Sequence, residues 1–258
     1  MVLAHAWQAC SSSLAALHAG MRGLQHAECA TALVAGVNMV FDAGVSAQCA
    51  VAGMTSLGGN CHTFDARADG YVRADACGAV ALRPLTRLPV AMALSGAAVR
   101  QDGRSASLTA PNGQAQRGLL LAALADAGLD PASLSRMEAH GTGTALGDPI
   151  EAGSLAGAVL SLRAVHSSSA LPVGSVKANS GHAEPAAGIS GLLMLACGLA
   201  QAQAAPNAQL RLLNPHVGAA LRGVACALST SLFLHEQIYD LSLCLVKSSP
   251  VHAPDLSL

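Results

Sequence analysis

The sequence predicts a layered α/β fold. Three observations carry that expectation. Short apolar runs rich in β-branched residues alternate with helical patterns through the second half of the chain. Two histidine–glycine loops, at His140 and His182, each sit after a predicted strand and before a helix. The chain is 52% hydrophobic but only 2% aromatic, so its core is built from many close helix–sheet contacts between small side chains. Its 258 residues suffice for one large domain or two smaller lobes.

Charge narrows the function classes. The formal net charge is −1 and no basic run is present, which argues against a nucleic-acid surface. Eight cysteines occur without a CxxC pair, so a zinc site has no support. Apart from Cys10 they read as small buried hydrophobes. The apolar segment 186–205 carries Ser190, Gln201, Gln203 and several glycines, and reads as a buried core helix rather than a membrane span. The first residues show neither a charged n-region nor a cleavage site, and a soluble cytoplasmic protein is expected.

The elements follow in order. After Cys10, Leu14, Leu17, Met21 and Leu24 recur at helical spacing, with Ser11, Ser12 and Ser13 placed to cap the first turn. "TALVAGVNMVF" (31–41) reads as a buried strand. Residues 53–60 read as a loop, and 70–85 as a hairpin turning around 74–78. A second lobe opens near Pro89 with the strand "VAMALSGAAV" and a polar loop over 101–114. A helix over 115–127 stops at Gly128, and Asp130-Pro131 opens a short turn. "RMEAH" is a brief strand ending at His140, followed by the loop "GTGTALG". Asp148, Pro149 and Glu151 mark a helix start, with Asp148 as its cap. "LPVGSVKA" is the next strand, "NSGH" the next loop, and a long helix runs over about 184–201.

Ligand-handling groups in open α/β folds gather beyond the carboxyl ends of strands. Two histidines in matching positions can therefore converge on one site. A cysteine at a helix N-terminus has its thiolate favoured by the dipole. Together these groups suit acyl transfer followed by carbon–carbon bond formation. The thiolate takes the acyl group, and two imidazole N–H groups hold the oxygen on which charge gathers as a second thioester loses CO2.

At these residues the chain resembles a known family. "ACSSSLAALH", "FDARADGYVRADACGAVAL", "QDGRSASLTAPNGQAQ", "EAHGTGTALGDPIEAG" and "GSVKANSGHAEPAAGISGLL", with "NPH" at 214–216, are similar in order to the β-ketoacyl synthase (ketosynthase) domain of type I polyketide synthases, in the thiolase-like superfamily. The resemblance covers about residues 9–217. It implies a thiolase-like αβαβα layered fold, here incomplete, with most of the N-terminal half and the final C-terminal strands missing. Residues 1–88 would be the remainder of the N-terminal lobe with the nucleophile. Residues 89–218 would be the C-terminal lobe with both histidine loops, and 219–258 a non-matching tail.

By the same resemblance Cys10 is the acyl-accepting nucleophile, and His140 and His182 assist decarboxylation and condensation. Lys177 orients or tunes His182, while Thr142 and Thr144 line the way in for a phosphopantetheine arm. No cofactor or metal is bound; the phosphopantetheine arrives on an acyl carrier protein. The partners are that carrier, acyl and malonyl-type thioesters, and a second copy in a homodimer. No nucleic acid or membrane is implied. The thiolase-like degradative alternative uses a second cysteine in place of one histidine, and the two histidine loops argue against it. A fatty-acid ketosynthase stays open.

The departures are specific. Trp7-Gln8 replaces an aspartate-threonine pair, Ala74-Asp75-Ala76 a Gly-Glu-Gly, and Ala178-Asn179-Ser180 a Thr-Asn-Ile. The connection over 85–90 is short, "MVLAHAWQA" stands where a strand should deliver Cys10, and no Gly-Phe-Gly-Gly loop follows 217. His216, His235 and His252 read as incidental. The expectation is a partial β-ketoacyl synthase, with a catalytically silent fragment as the alternative.

Overall fold

Leu17 and Met21 at helical spacing produce the first helix. The computed structural model describes residues 9–85, 92–105, 110–166, 169–228, 233–234 and 242–249. In it a 3-10 turn, Ala9–Ser11, leads into α1, Ser12–Gln25. Leu17 and Met21 share one core cluster with Val34 of β1 (Ala32–Asn38) and with Ile189, Leu192 and Leu195 of α7 (Ala187–Ala200). The serines do not cap the helix. Ser11 stands at the N-cap with φ −112° and ψ −1°, outside the extended region that aims a capping side chain, and makes no capping bond. Ser12 Oγ instead donates to the Ala9 carbonyl (2.8 Å). Ser13 Oγ accepts from the Ile189 N–H (3.1 Å), tying α1 to α7.

The strand expected to be buried over 31–41 is half-exposed. β1 pairs antiparallel with β2 (Ala76–Leu82), from Ala32 opposite Leu82 to Asn38 opposite Ala76. Val34 faces the core while Leu33 is 77% exposed. Among the described residues helices pack on one face of this two-stranded ladder, so its side chains alternate. No hairpin forms at 74–78. Residues before β2 run extended, with Tyr71 bridging Thr55 and Arg73 bridging His182. Gly78 lies within β2 opposite Gly36. Both glycines serve packing rather than a turn, since a Cβ on either would lie 3.1 Å from Ile189 Cγ2. The helix α2 (Ala43–Val51) was not expected from the apolar pattern; it buries no residue and is started by Asp42, which accepts from Gly44 N–H.

The second half follows the expected rhythm. β3 (Ala93–Gln101) pairs in parallel with β9 (Ser242–Ser249). α3 (Gly113–Ala127) is capped by Asn112 and ends at Gly128, whose φ is +64°. β4 (Met137–Glu138), β5 (Leu171–Gly174) and β7 (Cys226–Leu228) form a parallel sheet in the order β4-β5-β7. α4 (Gly147–Leu155) continues through a wider π turn, Ala156–Leu160, into α5 (Ser161–His166). α6 is the single turn Lys177–Ser180, and α8 (Pro215–Ala220) is capped by Asn214. β6 (Gln203–Ala204) pairs with β8 (Phe233–Leu234). A second core joins Leu120 and Leu124 of α3 to Leu155, Val159, Val173 and Phe64. The segment after 218 thus supplies sheet partners for β3, β5 and β6.

Among the described cysteines only Cys61 is buried, and Cys77 and Cys197 are exposed. The expected burial fails because Cys77 takes the outward side of β2. Segments 1–8 and 86–91, with His235, His252 and the side chain of Cys244, lie outside the described residues. His216 is exposed. Among the described residues no helix is long and apolar enough to cross a membrane.

One buried carboxylate ties distant loops together. Asp65 accepts from Arg67 N–H and Nε (2.9 and 2.7 Å), and from Arg211 and Leu212 N–H (2.6 and 2.9 Å). Burial alone would raise its pKa, but the Arg67 guanidinium and the amides of Leu212, Arg211 and Arg67 hold it well below the usual carboxylate range. Asp65→Asn is expected to cost about 2 kcal/mol in urea unfolding at neutral pH. The wild-type advantage should shrink as pH falls below about 4. There the unfolded chain takes up a proton that folded Asp65 refuses.

Candidate active site

Ala9 adopts φ +48°, a left-handed conformation uncommon for alanine. The turn leaves Cys10 half-buried just ahead of α1, where the helix dipole favours a thiolate.

His182 is fully buried and held through its backbone. Its N–H donates to the Val72 carbonyl (2.8 Å) and its carbonyl accepts from Ala74 N–H (3.0 Å). The Glu184 N–H donates to Nδ1 (3.2 Å), so the neutral ring carries its proton on Nε2. Nε2 lies 2.9 Å from Cys10 Sγ. Burial, then the Lys177 charge, then His140, push the His182 pKa well below its ordinary value. At neutral pH a neutral imidazole therefore directs an N–H at the sulfur. Tyr71 packs edge-on against the His182 ring at 5.0 Å, and an Arg73–Glu184 ion pair (2.7 Å) fixes the residue whose amide sets the tautomer.

His140 completes the group. Its ring centroid is 5.7 Å from that of His182, at 89°. One ligand-type atom from each of Cys10, His140 and His182 falls within 4.8 Å of the others. Those distances suit a metal ion, but the tautomer does not. A metal-bound histidine passes its second N–H to an acceptor, whereas His182 Nδ1 faces an N–H donor. The set fits proton and oxyanion chemistry instead.

The loop bearing His140 is shaped by two carboxylates. Asp148 does not cap α4, as the sequence suggested; Leu146 occupies the N-cap. Asp148 Oδ1 accepts from Gly143 and Thr144 N–H (3.1 and 3.3 Å), and Oδ2 from Phe64 N–H (2.8 Å). Glu151 accepts from His140 and Gly141 N–H (2.5 and 2.8 Å). The loop's inward amides find their acceptors in these side chains, which is why Asp148 turns away from the helix. Thr63 Oγ1 donates to the Gly141 carbonyl (2.6 Å). Gly143 has φ +79°, and a Cβ there would stand 2.7 Å from His62 N.

Lys177 begins α6 and is 4% exposed. Burial pushes Glu138 and Asp148 up to about 7, with amide bonds and, for Glu138, the charges of Lys177 and Arg136 opposing it. Burial also raises Glu151, against the amides of Gly141 and His140 and the Lys177 charge. Thr142 and Thr144 are half-buried, and Thr144 Oγ1 accepts from Gly147 N–H (3.1 Å). Cys10, His140, Thr142, Thr144, Lys177 and His182 all line one cavity of about 710 Å³. Sequence reasoning missed Tyr71, Glu138 and Thr63 here, and read Glu151 only as a helix starter. Acidic residues inside the histidine motif were the available signal.

Comparisons with known proteins give the family of the chain. The pattern "Beta-ketoacyl synthase, N-terminal domain" matches residues 6–87, and "Beta-ketoacyl synthase, C-terminal domain" matches 92–211. The chain belongs to the β-ketoacyl synthase family. It is 44% identical over 214 residues to a phenolphthiocerol/phthiocerol polyketide synthase of Mycobacterium tuberculosis, covering 81% of this chain and 11% of that one. It is 40% identical over 215 residues to the non-reducing polyketide synthase mapC of Penicillium roqueforti, covering 81% and 8%. The ketosynthase from module 6 of the bacillaene synthase of Bacillus subtilis 168 superposes with a TM-score of 0.82 at 30% identity, over 89% of this chain and 42% of that one. The oxazolomycin ketosynthase domain OzmH KS7 of Streptomyces albus JA3453 gives 0.80 at 36% identity, over 87% and 39%. The chain thus has the thiolase-like fold of the ketosynthase domains of polyketide synthases, in part. It spans about two fifths of those ketosynthase chains and about a tenth of the curated synthases.

In this chain the His140 loop hangs on Glu151. Glu151→Gln places an NH2 against one of two N–H donors. It is expected to lower unfolding stability by about 1–3 kcal/mol, read by urea denaturation, while Glu151→Ala costs at least as much.

Proposed function

We propose that this ketosynthase accepts an acyl group on Cys10 and condenses it with a malonyl-type thioester carried on the phosphopantetheine arm of an acyl carrier protein. The observation that carries the reading is the 2.9 Å approach of His182 Nε2 to Cys10 Sγ, with His140 facing the same space. In the first half-reaction the Cys10 thiolate attacks the acyl thioester carbonyl. A carbon–sulfur bond forms to Cys10, the old one breaks, and the departing thiolate takes up a proton. In the second, the malonyl-type thioester loses CO2 and the released electron pair forms an enolate. The N–H groups of His140 and His182 stabilise its oxygen, at about 3 kcal/mol per donor. The enolate carbon then attacks the acyl carbonyl, forming a carbon–carbon bond and returning Cys10 as thiolate.

Burial, with the Lys177 charge adding to it, keeps His182 neutral and so preserves Nε2–H as a donor. Thr142 and Thr144 line the cavity beside the trio, where the thioester arm would lie. Incubation with an acyl N-acetylcysteamine thioester should add one acyl mass at Cys10 by intact and peptide mass spectrometry, and Cys10→Ala should abolish it. His140→Ala should retain acylation and slow decarboxylation by about 10²-fold or more. A folded sample that takes no acyl group would identify the chain as a catalytically silent ketosynthase fragment.

A further inference from the structure

A cation stands at the end of the cavity remote from the histidines. Arg136, just before β4, lines it with Ser133 and Leu134. Ser133 is exposed, and Leu134 and Arg136 are half-buried, so this end lies near the surface. The helix α7 measures the separation of the two ends. Gly188 packs against Leu14 beside the Cys10 turn, and Gly198 packs against the Arg136 guanidinium. The ten residues between them advance about 15 Å along the helix. Gly191, Leu192, Leu195 and Leu199 wall the space on the way.

The protein itself uses little of Arg136. Its Nη1 donates to the Gln203 carbonyl (2.8 Å), and among the described residues that is its one hydrogen bond. No carboxylate there comes within ion-pair distance of it. Glu138 follows two residues later on the same side of the strand, but its Oε1 is turned to the Val176 N–H. Burial pushes the Arg136 pKa down, against the Glu138 charge, and a guanidinium remains charged all the same. Most of its N–H donors are therefore left without a protein acceptor. A partly dehydrated cation at the end of a leucine-walled cavity favours a ligand that is anionic at one end and apolar along its length.

We propose that Arg136 makes this end of the cavity a binding site for a free alkyl carboxylate, with the carboxylate on the guanidinium and the tail lying along α7 towards Cys10. The site is separate from acyl transfer. Nothing covalent forms, and the charged group sits at the end away from the nucleophile. The planar guanidinium fork matches the two oxygens of a carboxylate. A staggered chain advances about 1.3 Å per carbon, so about ten to twelve carbons fill the length of the wall. The bound tail then occupies the space in front of Cys10 and blocks access to its thiol.

Isothermal titration calorimetry of the full chain with sodium decanoate, sodium hexanoate and 1-decanol tests the site. Decanoate is expected to bind about tenfold or more tightly than decanol, because only the acid pairs with the guanidinium. Hexanoate, four methylenes shorter, should bind about tenfold or more weakly than decanoate. Arg136→Gln should weaken decanoate about tenfold and leave decanol unchanged, while Arg136→Lys keeps part of the preference for the acid, with folding checked by circular dichroism. At about ten times its dissociation constant, decanoate should slow iodoacetamide alkylation of Cys10 about tenfold, followed by peptide mass spectrometry. Decanol matching decanoate on the unaltered chain would overturn the proposal without recourse to any variant. So would Arg136→Gln protein that binds decanoate as tightly as before, since the carboxylate would then sit elsewhere, or alkylation that decanoate does not slow. Failure of Cys10 to take an acyl group would sink the acyl-transfer reading and leave these binding measurements as they stand.

Discussion

The approach of Cys10 Sγ to His182 Nε2 joins residues 172 positions apart, and most of the architecture serves that closure. Cys10 is placed by the turn into α1, and α1 is laid on α7 by Leu17, Met21 and the Ser13–Ile189 hydrogen bond. α7 begins five residues after His182, so the helix contact that builds one core also sets the reach between sulfur and imidazole. Gly36 and Gly78 let Ile189 settle against the β1–β2 ladder. A side chain at either position would push α7 outward and lengthen the contact that matters.

The electrostatics follow from burial. Taking His182 out of water disfavours its charged form, and the Lys177 charge adds to that. The same lysine opposes the burial of Glu138 and Glu151, so one cation serves two purposes. Its charge adds to burial in disfavouring the imidazolium, and it opposes the loss of charge on the carboxyls that accept from Val176, His140 and Gly141 N–H. Replacing it with an uncharged side chain would move both balances in the unfavourable direction at once.

Much of this was legible in the sequence because the informative residues are local. The end of α3 follows from Gly128, its start lies two residues before the expected 115, and the candidate site was sought at a cysteine before a helix and at histidines beside glycines. What was not legible depends on which partner arrives from elsewhere. Gly78 reads as a turn residue until Ile189 is seen to need the space. β1 reads as buried because its apolar run says nothing about how many faces are covered. α2 has no buried face for a periodicity to reveal, only a capping Asp42. Tyr71 and Thr63 lie far from the histidine motifs in sequence and meet them only in space.

Asp148 and Glu151 show why one pattern can carry two meanings. Acidic residues in a first helical turn are favoured by the dipole wherever that helix occurs. Here both carboxylates turn back onto the 140–144 loop and bind five amides, counting that of Phe64. Their charged forms are disfavoured by burial, so helix stability alone would be better served by exposed acids at the same turn. The buried arrangement fixes a loop of unusual backbone shape with one rigid helix as its base. That is the constraint a histidine needs if its N–H must meet an oxygen that carries charge only briefly.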